Sequence, residues 1–79
     1  MAAATEDIAT FARWLAAVLD WRDANPGPSA ALDRLGDWNS LAILQLAVAF
    51  DEQYGLDLSA QRIAECRTVA DLHRLLSPP

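Results

Sequence analysis

The sequence contains no lysine, and its six arginines face eleven acidic residues, for a formal net charge of −5. A protein that binds nucleic acid needs a cationic footprint for phosphates, and this chain has none to offer. The same shortage excludes a polybasic membrane anchor. Cysteine and histidine occur once each, as Cys66 and His73. No intramolecular disulfide framework and no zinc site of His/Cys type follow from such a set. A reducing, cytoplasmic setting fits the lone thiol. The three glycines, Gly27, Gly36 and Gly55, are too scattered to form a phosphate-cradling loop. The longest apolar run, Leu41 to Phe50, is interrupted by Gln45 and falls far short of the ~20 residues that span a bilayer. Met1 to Asp7 is alanine-rich and acidic, with no cationic start, so no secretory signal is expected there.

What is there is apolar. Hydrophobic residues make up 53% of the 79 positions, too many for a disordered acidic tail. One domain of residues 1–79 is expected. A domain this small buries only about 60% of the surface its unfolded chain exposes, which leaves little to wall a water-excluding pocket. An independent enzyme is therefore not expected.

The apolar residues are spaced for helices. Ile8, Phe11, Leu15, Val18 and Arg22 recur with a helical period, widened by Ala12 and Leu19. A first helix over about residues 5–22 follows, capped by Thr5 with Glu6 and Asp7 in its first turn. Trp14 and Trp21 flank the stripe and are expected to be half-exposed. Asn25-Pro26-Gly27-Pro28-Ser29 stops the helix. Ser29 to Trp38 reads as a long connector anchored by Leu32 and Leu35, with a turn at Gly36. A connector of that length inside a small domain is uncommon unless it is functional.

Ile43, Leu46, Ala47, Phe50 and Tyr54 predict a second helix over residues 40–54, with Asn39 (or Ser40) as its cap and Gly55 as its stop. Leu44 and Val48 lie off this stripe, so the helix carries more apolar surface than one core face requires. A short third helix over 59–65 carries Ile63 inward. Thr68-Val69-Ala70-Asp71 starts a last helix, 68–76, with a capping-box pattern in which Asp replaces the usual Glu or Gln. Val69, Leu72, Leu75 and Leu76 face the core. The expected fold is an all-α four-helix bundle, with three longer helices, one short one and a long loop between the first two.

The informative stretch is Leu35-Gly36-Asp37-Trp38-Asn39-Ser40-Leu41. It sets a serine where a long loop meets a helix N-terminus. A phosphodiester on Ser40 would lie in the favourable field of the helix dipole. No orienting acid accompanies the only histidine, His73, to make Ser40 a nucleophile of the triad kind. Ser40 has the position of an attachment point.

From Leu32 onward these residues resemble the acyl carrier protein family, including its peptidyl carrier relatives. That family has an Asp-Ser-Leu tripeptide at the start of its second helix, after a long loop. Its helix continues into acids, an aromatic and a glycine, and a Thr-Val-x-Asp-Leu start opens the last helix. Asn39-Ser40-Leu41, Asp51-Glu52-Gln53-Tyr54-Gly55 and Thr68-Val69-Ala70-Asp71-Leu72 correspond. The resemblance implies an acyl-carrier-like fold and no catalytic residues. It implies 4′-phosphopantetheine on Ser40, transferred from coenzyme A by a phosphopantetheinyl transferase. The arm's thiol would hold acyl or aminoacyl cargo as a thioester. A loading ligase would charge it, and downstream synthase or transferase enzymes would discharge it. The carrier itself would be a monomer. The residues expected to meet those partners are Asp37, Trp38, Asn39, Leu41, Leu44, Val48 and Glu52.

Asn39 departs from the family's aspartate. It keeps the capping group and loses a charge, which Asp37 partly restores nearby. Free-standing carriers with a Trp-Asp-Ser-Leu pattern often serve specialised pathways, with glyceryl or aminoacyl cargo. Trp38 is read as a loop aromatic capping the bundle or as a docking contact beside the arm, and in the second case the resemblance implies a specialised, natural-product type of pathway. Ala42 and Gln45 stand where fatty-acid carriers often have acids, so apolar docking with weak salt sensitivity is expected. Cys66 is read as a buried, inert thiol, and His73 as a solvated residue without a role. The alternative is an unmodified carrier-like helical adaptor.

Overall fold

A computed structural model describes residues 7–76. Five helices follow one another: α1 (Ile8–Leu19), α2 (Leu32–Leu35), α3 (Ser40–Tyr54), α4 (Ala60–Ala64) and α5 (Val69–Arg74). The protein is all-α, and among the described residues the sole β feature is an isolated bridge between Ala31 and Thr68.

The first helix is shorter than its apolar period predicts. Asp7 is its N-cap, and the carboxylate accepts from the Thr10 N–H. The expected cap, Thr5, lies outside the described residues, as do Ser77, Pro78 and Pro79 at the other end. The helix stops at Leu19, three residues before Arg22, because Asp20 turns into the left-handed region at φ 56°. The N–H groups of Asp20 and Trp21 both donate to the Ala16 carbonyl, which closes the last turn. That turn throws Trp21 inward. It is buried at 8% exposure, where a continued helix would have left it on the flank.

The expected connector contains a helical turn of its own, α2, which buries Leu32. It is also laced to the segment ahead of α5. Leu32 N–H donates to the Arg67 carbonyl at 2.9 Å, Val69 N–H to Ala30 at 3.3 Å, and Ala70 N–H to Pro28 at 2.9 Å. The long link between α1 and α3 is therefore held along its course. Among the described residues the four expected helices are present, and α2 adds a fifth, four-residue helical turn within the connector.

α3 packs against α1 and α4, and α1 packs against α5. Phe11, Leu15, Leu32, Leu46, Phe50, Ile63, Val69 and Leu72 are buried at the centre. An aromatic group gathers on Phe11, whose ring centroid lies 5.7 Å from Trp14, 6.0 Å from Phe50 and 5.4 Å from His73. His73 is thus half-buried against a ring rather than solvated. α4 ends at Ala64 and α5 at Arg74, each slightly inside its expected limit. The capping box at Thr68 forms as its sequence predicts. Thr68 Oγ1 accepts from the Asp71 N–H, and the Asp71 carboxylate accepts from the Thr68 N–H.

Candidate functional site

The site is built at the N-terminus of α3. Asn39 is extended, and its side-chain oxygen accepts from the Ala42 N–H at 3.0 Å. Its main-chain carbonyl accepts from the Ile43 N–H at 3.0 Å. Asn39 thus satisfies two donors of the first turn and is the cap; Ser40 is the first helical residue. The Ser40 and Leu41 amides have no intrahelical acceptor and form the positive end of the helix dipole. The Ser40 side chain is exposed in that field.

Ser40 also borders a shallow open groove of about 360 Å³ between α3 and α4, with Ile43, Leu44, Ala60, Gln61 and Ala64. The α4 side of this groove carries no sequence signal, because α4 reaches the site only through its packing on α3.

Along α3 the side chains divide into two opposed faces. Ala42, Leu46 and Phe50 are buried in the core. Leu41, Leu44 and Val48 are 72%, 56% and 58% exposed and are the large exposed hydrophobics among the described residues. At 100° per residue these three share one strip, which Glu52 continues and Ser40 borders. The structure therefore brings Ser40, Leu41, Leu44, Val48 and Glu52 onto one surface. Among the described residues no other stretch exposes several large apolar side chains together.

The loop residues are disposed differently. Asp37 is exposed and lines a broad groove with Trp21, Gly36, Asn39, Leu41 and Gln45. Trp38 is half-buried, packed on the core, and borders a groove with Leu32, Ala64, Cys66 and Arg67. It anchors the loop and does not stand out from the surface. The chain bends at Gly36, where α2 ends, as its sequence predicts, with the glycine itself in an extended conformation at φ 175°.

Comparison with protein-family models matches residues 9–76 to the phosphopantetheine attachment site family. The chain belongs to that family. It is a carrier domain of the kind defined by covalent 4′-phosphopantetheine, and such domains carry cargo for enzymes without catalysing reactions themselves. No curated protein and no solved structure matches the chain.

The rest of the carrier agrees with an inert scaffold. Cys66 is buried, its thiol donates to the Arg62 carbonyl at 3.6 Å, and burial with the nearby Asp71 charge pushes its pKa up. It stays a protonated thiol at neutral pH and does not compete as a nucleophile. Among the described residues no group of three or more His, Cys, Asp or Glu side chains is arranged to hold a metal. Nor is any helix there long and apolar enough to cross a membrane.

Proposed function

We propose that Ser40 carries the 4′-phosphopantetheine arm and that the protein tethers acyl or aminoacyl intermediates for a specialised, natural-product type of pathway in the cytoplasm. The observation that carries this reading is the exposed Ser40 hydroxyl at the first position of α3. A phosphopantetheinyl transferase would remove the Ser40 proton; the oxygen would attack the pantetheine-bearing phosphorus of coenzyme A, breaking the pyrophosphate P–O bond and releasing adenosine 3′,5′-bisphosphate, to leave a phosphodiester on Ser40. The Ser40 and Leu41 amides and the dipole of α3 favour the resulting negative charge. When attached, the arm supplies a flexible chain ending in a thiol on which cargo rides as a thioester.

The partner-facing surface in this reading is the strip Leu41, Leu44 and Val48, ending at Glu52, with Asp37 and Asn39 beside Ser40. It is apolar at its centre and acidic at its edges. Loading ligases and downstream synthases that fit it would present an apolar groove with a basic rim. Trp38 contributes from below, by holding the loop that presents Asn39 and Ser40.

Intact-mass analysis after incubation with coenzyme A and a broad-specificity transferase tests the reading. One phosphopantetheine is gained by the wild type and none by Ser40→Ala. An unmodified wild type leaves the helical-adaptor reading standing. A gain that survives Ser40→Ala moves the attachment elsewhere.

A further inference from the structure

One residue outside both the strip and the loop, Trp21, touches the loop that leads to Ser40. Trp21, turned inward by the left-handed Asp20, sets the Cδ1–Nε1 edge of its indole against Gly36. A Cβ added to Gly36 would stand 2.7 Å from Cδ1 and 3.1 Å from Nε1 of the indole. The backbone at Gly36 is extended, a conformation open to any residue, so what requires glycine here is space. The indole is buried and cannot swing aside freely. Gly36 precedes Ser40 by four residues, and the residue directly before Ser40, Asn39, is the helix cap.

We propose that Trp21 and Gly36 are positioning residues for the modification of Ser40. Trp21, just past the end of α1, supplies a buried indole edge, and the loop lies directly against it. Trp38, packed near Ala64 and Cys66, holds the loop from another direction. Between these contacts Asp37 and Asn39 have little freedom, so Asn39 stays on the Ala42 amide and the Ser40 hydroxyl stays outward. This inference rests on the reading that Ser40 is the attachment site. Phosphoryl transfer to a hydroxyl depends on in-line approach, and displacement by about 1 Å costs on the order of 100-fold in rate. A methyl group at Gly36 needs about that displacement to reach ordinary contact with the indole.

The test is a size swap. Gly36→Ala is expected to slow transferase-catalysed loading of the full chain by roughly 10- to 100-fold, mostly in kcat. In Gly36→Ala/Trp21→Leu, where the smaller side chain makes room, most of the rate returns. Amide exchange at Ala42 is followed in parallel. It is expected to accelerate in Gly36→Ala, to recover in the double variant, and to leave the Val69–Arg74 amides unaffected. If Gly36→Ala loads within twofold of wild type, or the double variant is slower still, the positioning role is overturned. A wild type that gains no phosphopantetheine refutes the attachment reading instead. In that case Ala42 exchange alone decides whether the Trp21–Gly36 contact holds the cap. Should Gly36→Ala fail to fold, a folded double variant with normal loading supports the contact, and an unfolded one overturns it.

Discussion

At the scale of single residues, Asn39 does most to define the site. Its side chain and carbonyl take the Ala42 and Ile43 donors, so the helix starts where Ser40 needs it to start. Asn39→Ala should cost about 1 kcal/mol of stability, the usual worth of such a cap. Asn39→Asp keeps the acceptor and adds a negative charge at the positive end of α3. It should gain about 0.3–1 kcal/mol and speed modification by a transferase that reads a carboxylate at this position. Urea midpoints and loading rates on the same samples check both. A slower Asn39→Asp would show that this carrier's transferase prefers the amide. The cap was legible in the sequence because it is local, three residues from its donor. The burial of Trp21 was not. It depends on Asp20 adopting a left-handed conformation usually left to glycine, and on a contact with Gly36 fifteen positions along the chain.

At the scale of the helices, α5 and α3 show two kinds of pattern. The start of α5 is a reciprocal box in which one carboxylate, Asp71, accepts from the Arg67 and Thr68 amides and pairs with Arg74 at 2.7 Å. The Arg67 amide is the foremost cause of a pKa held below the ordinary carboxylate value, with the Thr68 amide and Arg74 adding to it. A lowered folded pKa means that the stabilisation is complete above the unfolded value and is lost as pH falls through the folded one. Unfolding midpoints of the wild type should therefore fall on acidification below about pH 4, while Asp71→Asn, which cannot titrate, should show a flatter profile. Equal slopes would remove Asp71 from the acid response.

In α3 the signal was an apolar surplus. The stripe Ile43, Leu46, Ala47, Phe50 and Tyr54 reads as the core face, which leaves Leu44 and Val48 beside it; both are exposed, as is Leu41. Leu44→Arg and Val48→Arg should change stability by no more than about 0.5 kcal/mol, as expected of exposed positions. Loading by the partner ligase should fall sharply, with little dependence on salt in the wild type. Normal loading of both variants would detach the strip from docking. The element that sequence reading missed, α2, has only four residues. Four residues hold barely one turn, too few for an apolar spacing to repeat, and α2 is tied to the rest of the fold by the bond from the Leu32 N–H to the Arg67 carbonyl.

At the scale of the whole molecule, the apolar content divides into an interior and an exposed strip, and stability decides how sharply. A domain of this size has roughly 4–12 kcal/mol of total stability. Phe11 is fully buried and touches the rings of Trp14, Phe50, Tyr54 and His73 from α1, α3 and α5. Truncating such a phenylalanine costs about 3–5 kcal/mol, because the lost contacts come with a cavity that the packed rings cannot fill. Phe11→Ala should therefore lose most of the protein's margin, with a large drop in urea midpoint and some unfolded chain at 25 °C by circular dichroism. Loading of that variant should fall only in proportion to its unfolded fraction, since Ser40 and the strip do not touch Phe11's packing. Leu44→Arg should do the reverse, keeping the midpoint and losing the loading. If Phe11→Ala instead loses loading while it remains folded, the core and the strip are coupled through α3. The clean division between its two faces would then be wrong.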